Sequence, residues 1–510
     1  MFKLINRLIC AVLLAALLLA LPVAAETAVP QFYYPTGGVA KYTLTEIPAT
    51  GDAPQLTLQD DRTLEEIIVE GLRNVEEVIS IPYGSLPANQ EEIKRVYFGI
   101  VKTHPEFFYV GNGASYAVSG DYVVSISPKY DENLAQPEVI AAFNAHVEEI
   151  LSETTSPGMS QLEIALSLHD YLVLHCAYDW SVLQNQGEPS YNVYTAYGAL
   201  IEGNAVCQGY AMAYNLLLNK VGIETEYVTS STINHGWSLV EIDGTWYHVD
   251  VTWDDPTMPF SDYNHDLPGY CIHKYFLVST EGMADHGDFT VSHATADTYE
   301  SGYVFCGAKV PFFWMAGAFY YIGANNSLQS ATDLQTGPAA SSYSVLAQRY
   351  GSTLFSLNYS YSSGTVYGYD MPTKQRYAVT TLDSISGYGL AKYEDGIYLV
   401  KVEKSAGATP MQKLQLPLDD RLHCGEPVVD AAVTVSIRNG QQQARTVSLC
   451  LAAYNDAGQL LSLGWEDIKV ASGESKEAVF SLPSGNVTKA VVFYLDETLL
   501  PLREAATVTP

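Results

Sequence analysis

Apolar residues recur at three- and four-residue steps over Leu64–Val78, Glu91–Thr103 and Pro137–Leu151, which predicts three helices in the first part of the chain. Ser160-Gln161-Leu162-Glu163 reads as a capping box opening a fourth, whose apolar positions run through Leu166 and Leu172. A fifth begins at Cys207, where Tyr210, Ala211, Tyr214, Leu217, Leu218 and Val221 keep the helical step and Gly222 supplies a stop. This helix is expected to be amphipathic, with Cys207 in line with its buried stripe. The period then changes to two. Tyr227–Ile242 and Thr245–Trp253 predict two strands joined by Asp243-Gly244, a favoured pair for a two-residue hairpin turn. Phe107–Val110 and Asp121–Ser127 carry strand pattern among the early helices.

Beyond about Tyr303 the chain consists of short aromatic strands broken by Gly, Asn, Ser and Asp. Gly317–Tyr321, Gly351–Phe355 and Gly396–Leu399 are three weak copies of one unit, spaced as blade-like hairpins or meanders would be. Alternating strands around 430–437, 447–454 and 489–495, with a turn at Asn455-Asp456-Ala457-Gly458, predict a sandwich at the end of the chain.

The chemistry concentrates around the fifth helix. Cys207 at its first turn would point inward, where unpaired backbone N–H groups and the helix dipole favour a thiolate. The Asp243-Gly244 turn sets a register with Ile242 opposite Thr245, His235 opposite Thr252 and Asp250 opposite Trp237. His235 and Asp250 then share one face as diagonal neighbours, roughly 7 Å apart at Cβ. Cys207, His235 and Asp250 thus form a candidate set for nucleophilic catalysis. A thiolate attacks an acyl carbon, an imidazole accepts and returns the proton, and a carboxylate fixes the imidazole's tautomer. The Cys207 N–H is one expected oxyanion donor; for a second, Tyr178 and Trp180 are candidates because they precede the nucleophile in the same domain. His248 shares a face with Asp250 and competes as the base, although a packing role fits its position better.

The stretch from about Ser160 to Trp253 resembles the catalytic core of the transglutaminase-like superfamily, the papain-like thiol fold. The resemblance is carried by Gly203-Asn204-Ala205-Val206-Cys207-Gln208-Gly209-Tyr210, by Asn234-His235-Gly236-Trp237 and by Trp246-Tyr247-His248-Val249-Asp250. It implies Cys207 as nucleophile, His235 as base and Asp250 as orienting carboxylate. Leu168-His169-Asp170-Tyr171-Leu172 and Tyr194-Thr195-Ala196-Tyr197-Gly198-Ala199-Leu200 resemble the secreted bacterial branch of that superfamily. The resemblance implies the chemistry more closely than the substrate.

Composition narrows the setting. Lys3 and Arg7 precede an apolar run from Leu8 to Leu21 and a small-residue Val23-Ala24-Ala25, the pattern of a secretory signal peptide ending at Ala25. No later run is long and apolar enough to span a bilayer. The formal net charge is −31, which argues against nucleic acid as a partner because no basic field is present to neutralise phosphates. It fits an acidic, well-solvated exterior. Six cysteines follow the leader, at 176, 207, 271, 306, 424 and 450. Few or no structural disulfides are expected, although Cys424 with Cys450 is possible within one domain. Asp254, Asp255, His265, Asp266, His273 and His286 form a loose region that could hold a metal, but their spacing matches no compact ligand motif. No metal or cofactor is implied, since the protein alone activates the nucleophile.

The expected fold class is an α+β papain/transglutaminase-like catalytic core at 154–300, after a signal peptide at 1–25 and an N-terminal α/β domain at 26–153. A β-hairpin or meander repeat region, propeller-like, follows at 301–420, and an immunoglobulin-like β-sandwich at 425–510. The function expected is secreted or cell-surface acyl transfer or hydrolysis on protein or cell-wall peptide amides through a Cys207 thioester. The acyl acceptor, water or an amine, is open, as is the oligomeric state. The rival is an extracellular binding or scaffold protein whose thiol fold has lost activity.

Overall fold

Local signals account for where most helices start and stop. In the computed structural model, Thr63 caps α1 (Leu64–Arg73) with Glu66 in a reciprocal box, and Asn89 caps α2 (Gln90–Thr103). Pro137 opens α3 (Pro137–Thr154), and Ser160 with Glu163 forms the expected box at α4 (Gln161–His175). The structure describes residues 34–48 and 62–510 except 183–189, 256–257, 261–262, 266, 316, 359–362, 372–373, 384–387, 394–395, 403–410, 416–421, 426, 430–431, 441–443, 472–473, 497–498 and 503–504. The expected leader lies outside the described residues.

The first sheet has the order β1-β3-β4-β2, from β1 (Thr43–Ile47), β2 (Ile79–Ser80), β3 (Val110–Ser119) and β4 (Tyr122–Tyr130), with β1 parallel to β3. Two expectations change here. The helix over Leu64–Val78 stops at Arg73, because the chain turns at Asn74 and Val75, where φ is 54°. Phe107–Tyr109 is a buried turn closed by Phe107 N–H to His104 O and Val110 N–H to Phe107 O, and the strand starts only at Val110.

Ahead of the central helix, β5 (Ala177–Tyr178) pairs in parallel with β6 (Asn204–Ala205). Then comes α5 (Cys207–Lys220), ending at Val221 with Gly222 at φ 81°. Every residue of α5 from Cys207 to Leu218 is buried, so the helix is enclosed rather than amphipathic. Its polar positions tolerate this because they are bonded: Asn215 Nδ2 donates to Glu226 O, Tyr214 Oη to Ala165 O, and Tyr210 Oη to Asp255 Oδ2 at 2.7 Å.

Against α5 lies an antiparallel sheet of order β12-β9-β8-β7, formed by β7 (Thr225–Ser230), β8 (His235–Ile242), β9 (Thr245–Val249) and β12 (Phe276–Val278). Between β9 and β12 run the short helix α6 (Val251–Asp254) and a small ribbon of β10 (Met258–Phe260) with β11 (Tyr263–His265). The single strand expected over Tyr227–Ile242 is therefore two, folded back on each other at Ser231–Asn234, with Ser230 facing His235.

The three weak copies fall in three successive antiparallel sheets, built from strands within 313–331, 345–382 and 388–415. Gly317, Gly351 and Gly396 each sit at or beside a hairpin turn. Two further sheets, of strands within 422–480 and 445–508, share a separate apolar core that includes Val435, Leu449, Val492 and Tyr494. The largest core runs from Ile68 to Met371, across positions 153 and 300. Among the described residues no disulfide forms, and Cys424 and Cys450 are both buried. No helix among them is long and apolar enough to cross a membrane.

A buried polar knot ties α4 to distant chain. Asp170 Oδ1 accepts from His169 Nδ1 (2.7 Å) and His273 Nε2 (2.9 Å), while its Oδ2 accepts from Phe312 N. His169 Nε2 donates to Asp254 Oδ2 at 3.2 Å. Burial opposes these charges, but the His273 charge and the two imidazole hydrogen bonds hold the Asp170 carboxyl down at about 2. Removing one member strands the others without water. Asp170→Ala is expected to cost about 3–5 kcal/mol in urea unfolding; a loss under about 1 kcal/mol would mean that the knot is not a structural tie.

Candidate active site

Cys207 is set at the head of α5 by its neighbours. β6 leads straight into it, Val206 N donates to Val193 O at 3.0 Å, and Val206 takes the N-cap position. Gly209 lets this first turn press on the 191–195 segment, since a Cβ there would sit 2.4 Å from Val193 O. The Gln208 side chain fixes the approach from the other side. Its Oε1 accepts from Ala40 N (3.1 Å), and its Nε2 donates to Tyr42 Oη (3.0 Å) and Tyr194 O (3.2 Å).

The hairpin has the expected register, Ile242 facing Thr245 and Ser238 facing Val249. Its ladder stops there. The expected pairs Asp250–Trp237 and His235–Thr252 do not form, because Asp250 leaves the strand to cap α6, its Oδ1 accepting from Thr252 N (3.1 Å) and Trp253 N (3.2 Å). The cap leaves Oδ2 for His235, whose Nε2 donates to it at 2.7 Å. The two residues meet as read from the sequence, but through a helix cap rather than across a ladder. Cys207, His235 and Asp250 are 0%, 0% and 1% exposed.

With Nε2 held by Asp250, Nδ1 is the ring nitrogen left for the thiol; it has no hydrogen-bond partner among the described residues. Burial alone would depress the imidazole, but the Asp250 charge, then a negative charge on Cys207, then the hydrogen bond to Asp250, raise it to about 10. Asp250 is held well below the usual carboxylate range against its own burial, by the His235 charge and by hydrogen bonds from His235 and His286. Trp237 and Trp253 stack on the His235 ring at 5.9 and 5.1 Å between centroids. His248 is no competitor for the base. Burial pushes it down to about 4, and its Nδ1 accepts from Trp237 Nε1 at 2.9 Å, steadying the ring that steadies His235.

Two further residues join the site, His286, read from the sequence only as part of the loose metal-capable region, and Tyr227, read only as the start of a strand. His286, 36 positions beyond Asp250, donates from Nε2 to the same Oδ2 at 2.9 Å, and its Nδ1 lies 2.9 Å from Asp285 Oδ1. Tyr227 turns its hydroxyl into the site. The oxygen is buried without a hydrogen-bond partner among the described residues, and a Cβ on Gly236, next to His235, would fall 2.1 Å from it. Burial and then the charge of Cys207 raise its pKa well above the ordinary phenol value. Tyr178 is placed by β5 opposite Ala205, its ring tilted against that of Trp180 at 5.1 Å between centroids.

The remaining segment at the thiol comes from the start of the described chain. Tyr34 packs tilted against Trp253 at 5.1 Å between ring centroids, Trp253 Nε1 donates to Pro35 O (2.9 Å), and Gly37 N donates to Asn234 O (2.8 Å). Gly38 lies directly on Cys207, where a Cβ would be 2.7 Å from Sγ.

Two groups bring possible metal-ligand atoms within 4.8 Å of one another: His169, Asp170, Cys271 and His273, and His235, Asp250 and His286. In both, carboxylate and imidazole stand at 2.7 and 2.9 Å. Those are hydrogen-bond separations, shorter than the roughly 3.3 Å between ligand atoms of a tetrahedral ion with bonds of about 2.0 Å. The loose region read from the sequence divides accordingly: Asp254 and His273 join the first group, His286 the second, and Asp255 accepts from Tyr210. The His265 and Asp266 side chains lie outside the described residues.

Residues 148–251 match the family model of the Transglutaminase-like superfamily. The chain carries a transglutaminase-like domain. Its match spans α4, α5 and the β7–β9 strands, with Cys207, His235 and Asp250 inside it. Among solved structures it is similar to a TGase at 17% identity, covering 28% of this chain and 44% of that one with a TM-score of 0.21. It is also similar to red sea bream transglutaminase at 12% identity, covering 80% and 78% with a TM-score of 0.18. Another similar structure is DesR, a beta-glucosidase from Streptomyces venezuelae, at 19% identity, covering 18% and 15% with a TM-score of 0.14. The chain thus spans less than half the length of the first of these. No curated protein matches.

The electrostatics give a pH signature. His235 is raised from 6.5 to about 10, so its contribution to stability is complete below 6.5 and is lost as pH rises through about 10. Asp250, depressed, contributes above the ordinary carboxylate range and loses that contribution as pH falls through its lowered value. In Asp250→Asn the His235 titration, followed by 15N NMR of the ring, should move down by at least about 2 units, and the alkaline decline in unfolding free energy should flatten. An unmoved titration would rule Asp250 out as the source of the shift.

Proposed function

We propose that the chain is a cysteine-dependent acyltransferase or hydrolase acting outside the cell on peptide or protein amides. Cys207 is its nucleophile, His235 its acid and base, and Asp250 its orienting carboxylate. The observation that carries this reading is a buried thiol at a helix's first turn, beside an imidazole whose far nitrogen is tied to a carboxylate. The match of residues 148–251 to the superfamily supports the same chemistry.

In this reading the Cys207 thiolate adds to the amide carbon, forming the C–S bond. The His235 imidazolium then protonates the departing nitrogen as the C–N bond breaks. Water or an amine adds to the thioester, His235 takes its proton, and the C–S bond breaks to return the thiolate. Asp250 and His286 keep the ring charged and aimed, a role worth about 10²–10⁴ in rate for the general acid and base it supports. We assign the second oxyanion donor to the Tyr227 hydroxyl, which feels the charge of Cys207, because it is buried and has no hydrogen-bond partner among the described residues. The paired sheets at the C-terminal end are read as an immunoglobulin-type sandwich, which with the three β meanders would space the enzyme from a surface.

The test is mass spectrometry of a complex peptide mixture incubated with a primary amine, using the full chain and Tyr34→Ala, which loosens the segment over the sulfur. Amine adducts on glutamine indicate transfer, new termini proteolysis, and deamidated glutamine alone amidase action. All should vanish in Cys207→Ala, and Tyr227→Phe should lower kcat by about 10²–10³ with little change in KM. Peptides left unchanged by both active-thiol proteins would overturn the assignment.

A further inference from the structure

The transglutaminase-like site is not open to solvent, and what closes it is backbone. Between Tyr34 and Ala40 the chain crosses the groove between α5 and β8 in a series of main-chain contacts. Pro35 O accepts from the Trp253 indole, Gly37 N donates to Asn234 O, Gly38 O accepts from Gln208 N at 3.4 Å, and Ala40 N donates to Gln208 Oε1. These are the contacts an extended peptide makes with a recognition groove, where main-chain hydrogen bonds hold the strand and side-chain space sets the sequence. The carbonyl of Gly38 meets an N–H of the first turn of α5, one residue beyond Cys207, where a substrate carbonyl would need a donor.

The sequence of the segment fits that position and few others would. Gly37 has φ 99°, which an L side chain rarely adopts. Gly38 faces a second, steric limit: a Cβ would fall 2.7 Å from Cys207 Sγ, 2.8 Å from Val206 Cβ and 3.0 Å from Cys207 N. A residue with any side chain at 38 would have to displace either the thiol or the strap. The upstream end is anchored by aromatic packing, Tyr34 lying 5.1 Å from Trp253 and 6.0 Å from Tyr275 between ring centroids. Trp253 is also one of the rings stacked on His235. The strap therefore holds the nucleophile's face and the base's platform at once.

We propose that the groove over Cys207 is a main-chain-binding site for extended peptides with glycine above the sulfur. Tyr34–Ala40 is its resident occupant, keeping the enzyme latent until the strap is displaced or cut away. This rests on reading Cys207 as the nucleophile. A substrate acyl group and the strap compete for one place, so activation means moving residues 34–40, not rebuilding the triad.

The experiment follows alkylation of individual cysteines by iodoacetamide in the full-length folded protein, with peptide mapping. In the unaltered chain Cys207 should react about tenfold or more slowly than the partly exposed Cys306, because reaction waits on local opening of the strap. Gly38→Val and Tyr34→Ala should each speed Cys207 alkylation by about tenfold or more while leaving buried Cys176 and Cys271 slow. The latter two report that the fold is intact; if Gly38→Val releases them, the comparison is made on Tyr34→Ala. The synthetic peptide Tyr-Pro-Thr-Gly-Gly-Val-Ala, added to the opened variant, should slow Cys207 again, and the same peptide with valine in place of its second glycine should not. A Cys207 that reacts as fast as Cys306 in the unaltered chain, or variants and peptide without effect, would overturn the proposal. Faster alkylation with no turnover of any amide would keep the strap and remove the acyl-transfer reading. Equal turnover by the unaltered chain and both variants would do the reverse.

Discussion

The site depends on how one carboxylate divides its two oxygens. Asp250 Oδ1 is used up by the backbone of α6, accepting from Thr252 N and Trp253 N, and this pins the side chain at the end of β9. Oδ2 is then presented to two imidazoles, His235 and His286, neither of which could be held there by a freely rotating acid. A carboxylate that receives four hydrogen bonds in a dry setting stays ionised, and an ionised carboxylate at 2.7 Å keeps the His235 ring charged despite burial that would otherwise neutralise it. Remove the cap and the orientation is lost first, and the charge state with it.

Burial amplifies this arrangement. Charges inside a protein interact more strongly than in water, and His235, with Trp237 and Trp253 stacked on its ring, is fully buried. The same enclosure makes every uncompensated polar atom costly, which is why the Tyr227 hydroxyl and the His235 Nδ1, both buried and without a hydrogen-bond partner among the described residues, stand out near Cys207. Elsewhere the interior leaves less to chance: the Asp170 knot joins α4 to Cys271–His273 and Phe312, and holds the domain's helices against the chain that follows the sheet. The segment from Tyr34 to Ala40 completes the seal; Gly38 is required by the sulfur beneath it and Gly37 by its backbone angle.

Much of the local structure was legible because its causes lie within a few residues. The capping box at Ser160, the stop at Gly222 and the hairpin at Asp243-Gly244 each depend on side chains or backbone angles of the residues themselves. The hairpin's turn then carried the register correctly as far as Ser238 and Val249. Legibility failed where a distant partner outweighed the local pattern. The strand pattern read over Phe107–Val110 stops where the real strand begins: Val110–Ser119 pairs because β1 and β4 flank it. Phe107–Tyr109 has strand composition but folds as a turn around Pro105, with its aromatic rings buried.

From the residues alone came the identity of the thiol, imidazole and carboxylate, their order along the chain, and the helix and hairpin that carry them. Those follow from short-range rules of capping, turn geometry and periodicity, which operate without knowledge of the fold. The tertiary structure decided everything that depends on packing at long range: that α5 is enclosed on all sides, that Asp250 acts through a helix cap, that His286 and Tyr227 join the site, and that residues 34–40 lie on the sulfur. Such contacts link positions from tens to more than two hundred residues apart, as between Pro35 and Trp253. No local pattern encodes a pairing whose energy exists only once the intervening chain has folded.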